Sequence, residues 1–147
     1  MPENKFLENK LGLMGWISGG RYGVERYAYT LHRLTGLGIL AYFVLHILVT
    51  TSRLFGEQTW RAAMGLVDAP VFKYGEFLVY VAFAYHALNG VRLGLTELGF
   101  FLGVPRQPVY PYRHSVRRQR PLFVLVMVLA AVVVLLGGYN FFGFPAR

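Results

Sequence analysis

The chain contains no cysteine. That absence excludes a disulfide scaffold, thiolate metal sites and cysteine-ligated iron–sulfur clusters within it. Charge is also scarce: Asp, Glu, Lys and Arg make up 15% of the 147 residues, against about 25% in an ordinary globular protein. Acidic residues are the scarcer sign, seven against fifteen basic, for a net charge of +8. Phosphate- and zinc-binding signatures are missing, since there is no P-loop and no HExxH, and no GxGxxG follows a strand pattern. Ser52 and Ser115 have no triad context. The N-terminal MPENKFLENK has no apolar core, so it does not read as a secretory signal peptide, and it lacks the Arg- and Ser-rich character of a transit peptide. The glycine-rich WISGGRYG at 16–23 reads as a loop before the first helix.

What the chain has in quantity is hydrocarbon. Hydrophobic residues make up 55% of it, and they are gathered into runs. A membrane span needs about 20 mostly apolar residues. Three stretches meet that length, at about 34–52, 77–95 and 122–142. The expected fold is therefore an all-α membrane protein, one domain over 1–147, with three transmembrane helices. The third run, LFVLVMVLAAVVVLL, has no polar side chain and reads as a lipid-facing or packing helix. Pro121 stands before it, where a first-turn proline is tolerated. The first two runs carry His46, and His86, Asn89 and Arg92, respectively. Polar groups at membrane depth face a protein interior, a cofactor or a cavity.

Basic residues set the orientation. Five precede the first run, six lie between Arg92 and Arg120, three lie between Arg53 and Lys73, and Arg147 alone is in the tail. The N-terminus and the basic connection at 96–121 are thus expected on the cytoplasmic side, with the C-terminus outside. The same distribution argues against nucleic acid as the partner, because the basic blocks flank the apolar runs. The connection is the one candidate linker, and it also suits docking to an acidic subunit or lipid headgroups.

His32 and His46 are fourteen residues apart, which returns them to nearly one side of a helix, roughly 21 Å apart along its axis. His86 has Ala82 four residues before it and Gly90 four after. Such small residues leave room for something flat against the helix. A buried neutral imidazole suits haem iron, and cations at the interface suit its propionates. His86, with Ala82, Gly90, Arg33 and Arg92, offers that set. The other reading of each buried histidine is a hydrogen bond to a neighbouring helix. His114, in the basic connection, reads as a surface residue.

Two motifs carry a resemblance. LHRLTG at 31–36 resembles the HRxSG/HRxTG element that opens the first helix of the cytochrome b membrane-anchor subunits of succinate dehydrogenase (complex II). AYHALNGVRLGLTE at 84–97 resembles the HxxxGxR element of their second helix, which ends in an acidic residue. The resemblance covers roughly 27–97 by motif and the remainder by layout.

It implies a subunit that pairs with a second small membrane-anchor subunit, binds haem b between them, and carries an iron–sulfur subunit and a flavoprotein subunit on the cytoplasmic side of a bacterial inner membrane. Succinate chemistry would lie on those other chains, and ubiquinone or menaquinone would receive the electrons. By match to the motifs, His86 corresponds to the haem axial ligand, Arg33 to the quinone-pocket arginine, and His32 and Arg92 to residues near the haem propionates. Tyr29 stands where a pocket serine is usual, so Tyr29 or Thr30 is left to supply the hydroxyl. Leu93 replaces a histidine often found after GxR, and the closing acid is Glu97. His46 exceeds the one-haem pattern and is the candidate ligand of a second haem. Two alternatives stand beside this reading: the anchor of a quinol:fumarate reductase, and a haem-free membrane scaffold.

Overall fold

The computed structural model describes residues 23–101 and 116–143, and those residues are helical apart from short turns. His114, most of the basic connection and nearly all of the WISGGRYG segment lie outside the described residues. Helix α1 runs Val24–Thr51. A 3-10 turn, Ser52–Phe55, and the short helix α2, Glu57–Val67, follow. Helix α3 is Pro70–Glu97, and α4 is Val116–Gly143. Helices α1, α3 and α4 have 28 residues each, or about 42 Å at 1.5 Å per residue.

The ends of these helices follow from local chemistry. Pro70 occupies the first turn of α3, where its missing N–H costs nothing. At the other end Gly99 takes φ 89°. Its N–H bonds the Thr96 carbonyl, and the Phe100 N–H reaches back to the Leu95 carbonyl at 3.0 Å. That is the paired-bond stop a left-handed glycine permits. Pro121 departs from expectation. Helix α4 is already under way at Val116, so Pro121 lies inside it rather than in its first turn. It removes one backbone donor there.

Helix α3 is the middle of the structure, packed on α1 along one side and on α4 along another. Against α4 it uses aromatics and glycine. The Tyr80 hydroxyl donates to the Val133 carbonyl at 2.8 Å, and its ring lies where a Cβ on Gly137 would be. Phe77 stacks edge-on to Phe142, with centroids 5.1 Å apart. The buried residues are few and mostly small: Ala28, Ala84, Tyr85, Val126 and Ala130, with Asn89 and Arg92 among them. Large apolar side chains point outward instead, including Leu37, Leu48, Phe43, Leu135 and Leu136. Such an inside-out pattern needs an apolar surrounding, because leaving a Leu or Phe in water costs about 1.5–3 kcal/mol.

The stretches Val24–Phe55 and Arg118–Gly143 are each long and apolar enough to cross a membrane. Helix α3 has the length, but Lys73, Glu76, His86, Asn89, Arg92 and Glu97 interrupt its apolar sequence. Helix α2 was not foreseen from the sequence.

Candidate functional site

The polar residues of α1 and α3 meet near the start of α1 and the end of α3. His86 points at α1. Its Nδ1 is 2.9 Å from the His32 carbonyl oxygen and 3.3 Å from the Thr35 hydroxyl. The Thr35 hydroxyl itself donates to the Leu31 and His32 carbonyls, at 2.8 and 3.0 Å. A carbonyl can only accept, so Nδ1 is the donor in this arrangement. Gly36 makes the approach possible: a Cβ there would stand 2.8 Å from the His86 Cε1.

On its other side the His86 ring meets His32. The two imidazoles are stacked, 3.9 Å between centroids and 7° from parallel. The His32 ring in turn lies over Gly90, 3.4 Å from where its Cβ would be. The flat group expected against Gly90 is thus, in this structure, the His32 ring. The His32 Nδ1 is buried without a hydrogen-bond partner.

One step around α3 lies a second polar group. The Tyr85 hydroxyl donates to the Ala28 carbonyl at 2.6 Å, tying α3 to α1. Asn89 is fully buried. Its Oδ1 accepts from the Arg92 Nε at 2.9 Å, and its Nδ2 has no partner. The Arg92 guanidinium, also buried, lies 5.4 Å from the Phe123 ring of α4. Closing this end, Arg120 of α4 pairs with Glu25 of α1 at 3.0 Å.

The expected site residues therefore divide. His32 and His86 come together. Tyr29 and Arg33 also come together, exposed on α1 with the guanidinium 5.9 Å from the tyrosine ring. Thr30 is half-buried beside them. Arg92 turns inward to Asn89 and α4, whereas Arg33 is exposed on α1. His46 is exposed, its ring 6.0 Å from that of Tyr42. It stands ten residues beyond Gly36 on α1, or about 15 Å further along the axis. Among the described residues no three His, Cys, Asp or Glu side chains gather as a metal site. Sequence reasoning missed Thr35 and Tyr85 as participants. Thr35 was within reach, since it belongs to the LHRLTG motif.

A family model described as succinate dehydrogenase/fumarate reductase transmembrane subunit matches residues 3–135. The chain belongs to that family. It is 29% identical over 108 residues to the succinate dehydrogenase 2 membrane subunit SdhC of Mycobacterium tuberculosis, covering 74% of this chain and 75% of the relative. It is 28% identical over 90 residues to the succinate dehydrogenase hydrophobic membrane anchor subunit of Halobacterium salinarum, covering 60% of this chain and 69% of the relative. No solved structure matches. The chain is thus a membrane subunit of an oxidoreductase complex, and it works in association with that complex's other subunits.

Proposed function

We propose that this subunit is the cytochrome b anchor of a succinate:quinone oxidoreductase, with α1, α3 and α4 all crossing a bacterial cytoplasmic membrane. The basic residue distribution puts the N-terminus inside and the C-terminus outside. Its partners are a second small anchor subunit, an iron–sulfur subunit and a flavoprotein. Succinate oxidation belongs to the last of these, and this chain's own work is positional.

The observation that carries the reading is the hydrogen bonding of His86. A metal-ligating imidazole almost always donates its second ring N–H to a carbonyl or carboxylate, which fixes tautomer and orientation. His86 has that bond, from Nδ1 to the His32 carbonyl, and its Nε2 is the nitrogen left for iron. The chain's residues fit haem b in this respect. When bound, haem b supplies a one-electron carrier within the membrane. His32 and Arg92 are the residues assigned to its propionates, with Asn89 holding Arg92 in place. His46, on the far half of α1, is the candidate ligand of a second haem.

Tyr29, Thr30 and Arg33 are assigned to the quinone. They stand at the opposite end of α1 from the outer loop. The Arg33 guanidinium, exposed above Tyr29, polarises a quinone carbonyl and stabilises negative charge as the ring is reduced. A hydroxyl of Tyr29 or Thr30 orients the ring. The family description names fumarate reductase as well, and the same geometry serves a quinol donor. A menaquinol partner would favour that direction, and a ubiquinone partner the other.

The test is a dithionite-reduced optical spectrum of the complex isolated through this chain, with its subunits identified by mass spectrometry. A b-type band that disappears in His86→Ala is the expected result. A complex with flavoprotein but no b-type band would make the chain a haem-free scaffold. Absence of both would overturn the reading.

A further inference from the structure

The connection between α1 and α3 carries an uncommon surface. Leu54 is 84% exposed, Phe55 74% and Leu66 74%. These residues belong to the 3-10 turn and α2, an eleven-residue helix. Trp60, Ala63 and Val67 face inward and are half-buried. Leu66 and Ala62 fall on one flank. Glu57 and Arg61 fall on the other, joined by an ion pair in which both side chains are about three-quarters exposed. Leu66 and Arg61 are five positions apart, which places them about 140° from each other around the helix.

We infer that the segment from Leu54 to Val67 is an interfacial lipid-binding element, with α2 lying in the plane of the membrane surface, Leu54, Phe55 and Leu66 in the acyl region and Arg61 and Glu57 in water. Three observations select lipid as the occupant. Leu54 and Phe55 end the membrane-length helical stretch that begins at Val24, so their surface continues that of a bilayer-length helix. Both ends of α2 connect within a few residues to helices of about 42 Å, which holds it at the level where those helices leave the hydrocarbon. The Glu57–Arg61 ion pair lies on one flank and the strongly exposed Leu66 on the other, a bias that suits a boundary between water and lipid. The Arg53 guanidinium over the Trp60 ring, 4.8 Å from its centroid, is the pairing of cation and aromatic that collects at headgroup depth. The inference rests on the membrane-crossing reading of α1 and α3.

The absence of native cysteine permits a direct test. Leu66→Cys, Leu54→Cys and Arg61→Cys are made separately in the intact complex, labelled with a small fluorescent maleimide and reconstituted in phosphatidylcholine vesicles. Label on this chain is identified by its 16.7 kDa band, apart from cysteines of other subunits. The expected result is that labels at 66 and 54 are quenched about twofold or more by lipid carrying a doxyl group high on its acyl chain, and little by iodide, with the reverse at 61. Iodide quenching at all three positions overturns the inference by placing the segment in water. Shielding of 66 and 54 from both quenchers overturns it by placing them under a partner protein. Should one Leu variant fail to co-purify with its partners, the other carries the decision. Release of the wild-type chain from membranes by alkaline carbonate would instead sink the membrane-crossing reading itself.

Discussion

The imidazoles of His32 and His86 lie face to face, 3.9 Å between centroids, and the same His86 ring bonds the His32 backbone. His32 thus touches the candidate ligand twice, once with its carbonyl and once with its ring. The backbone contact survives any substitution at His32, whereas the ring contact does not. His32→Leu is therefore expected to retain a b-type band while shifting its midpoint potential, and potentiometric titration reads that shift. Loss of the band altogether would mean that the ring, not the carbonyl, holds His86.

Glycine at 36 is the tighter constraint of the two glycines at this crossing. A Cβ there meets the His86 ring at 2.8 Å, whereas one at Gly90 meets His32 at 3.4 Å. Gly36→Ala is expected to cost about 1–3 kcal/mol by forcing the ring or the helix aside, and Gly90→Ala clearly less. Thermal unfolding of the purified complex checks the order, and the b-type band should weaken in the first variant and not the second.

Asn89 gives Arg92 its hydrogen-bond acceptor in the protein interior. Asn89→Leu leaves a buried guanidinium without it, which is expected to cost about 1–3 kcal/mol. Asn89→Asp keeps the acceptor and adds a charge of opposite sign, so it should assemble better than Asn89→Leu. Yield of intact complex and its unfolding temperature measure both.

The ion pair between Glu25 and Arg120 joins α1 to α4, with the arginine side chain 60% exposed. Pairs so open to solvent contribute about 0–1 kcal/mol. Arg120→Ala is accordingly expected to change the unfolding temperature little, and any change should shrink as salt is raised. A large loss would show that this pair clamps the end of the bundle.

His46 decides the haem count. If it ligates a second haem, pyridine haemochrome assay of His46→Ala should show one haem fewer per complex than the wild type. An unchanged count removes His46 from the site.

The helical architecture was legible because apolar runs of membrane length are strong, local signals. Helices α1 and α3 begin ten and seven residues before the apolar runs, since polar residues continue a helix without adding hydrophobicity. Helix α2 went unread because eleven residues between two long runs look like a loop when apolarity alone is counted. Pro121 was misplaced for the same reason: the apolar run begins after it, but the helix does not. At the site, the motifs singled out His32, Arg33, His86 and Arg92, and the structure brings His32 and His86 into contact. They could not show that Thr35 and the His32 carbonyl converge on His86 Nδ1, because residues more than fifty positions apart in sequence are brought together only by the crossing of α1 and α3. The inward turn of Arg92 was likewise hidden. It depends on Asn89 one turn earlier and on Phe123 in another helix.

The hydroxyls of α1 bear on how the chain is made. Thr35, Thr50 and Thr51 each bond a carbonyl of their own helix, three or four residues back. Within α3, Asn89 and Arg92 bond each other. Hydrocarbon offers no water to such groups. On the membrane reading, a helix that arrives with these bonds already made can leave the translocon before its neighbour has been synthesised. The chain can then be threaded one helix at a time as the ribosome delivers it. The bonds between helices, from His86 to α1 and from Tyr85 to the Ala28 carbonyl, close only after α3 has entered.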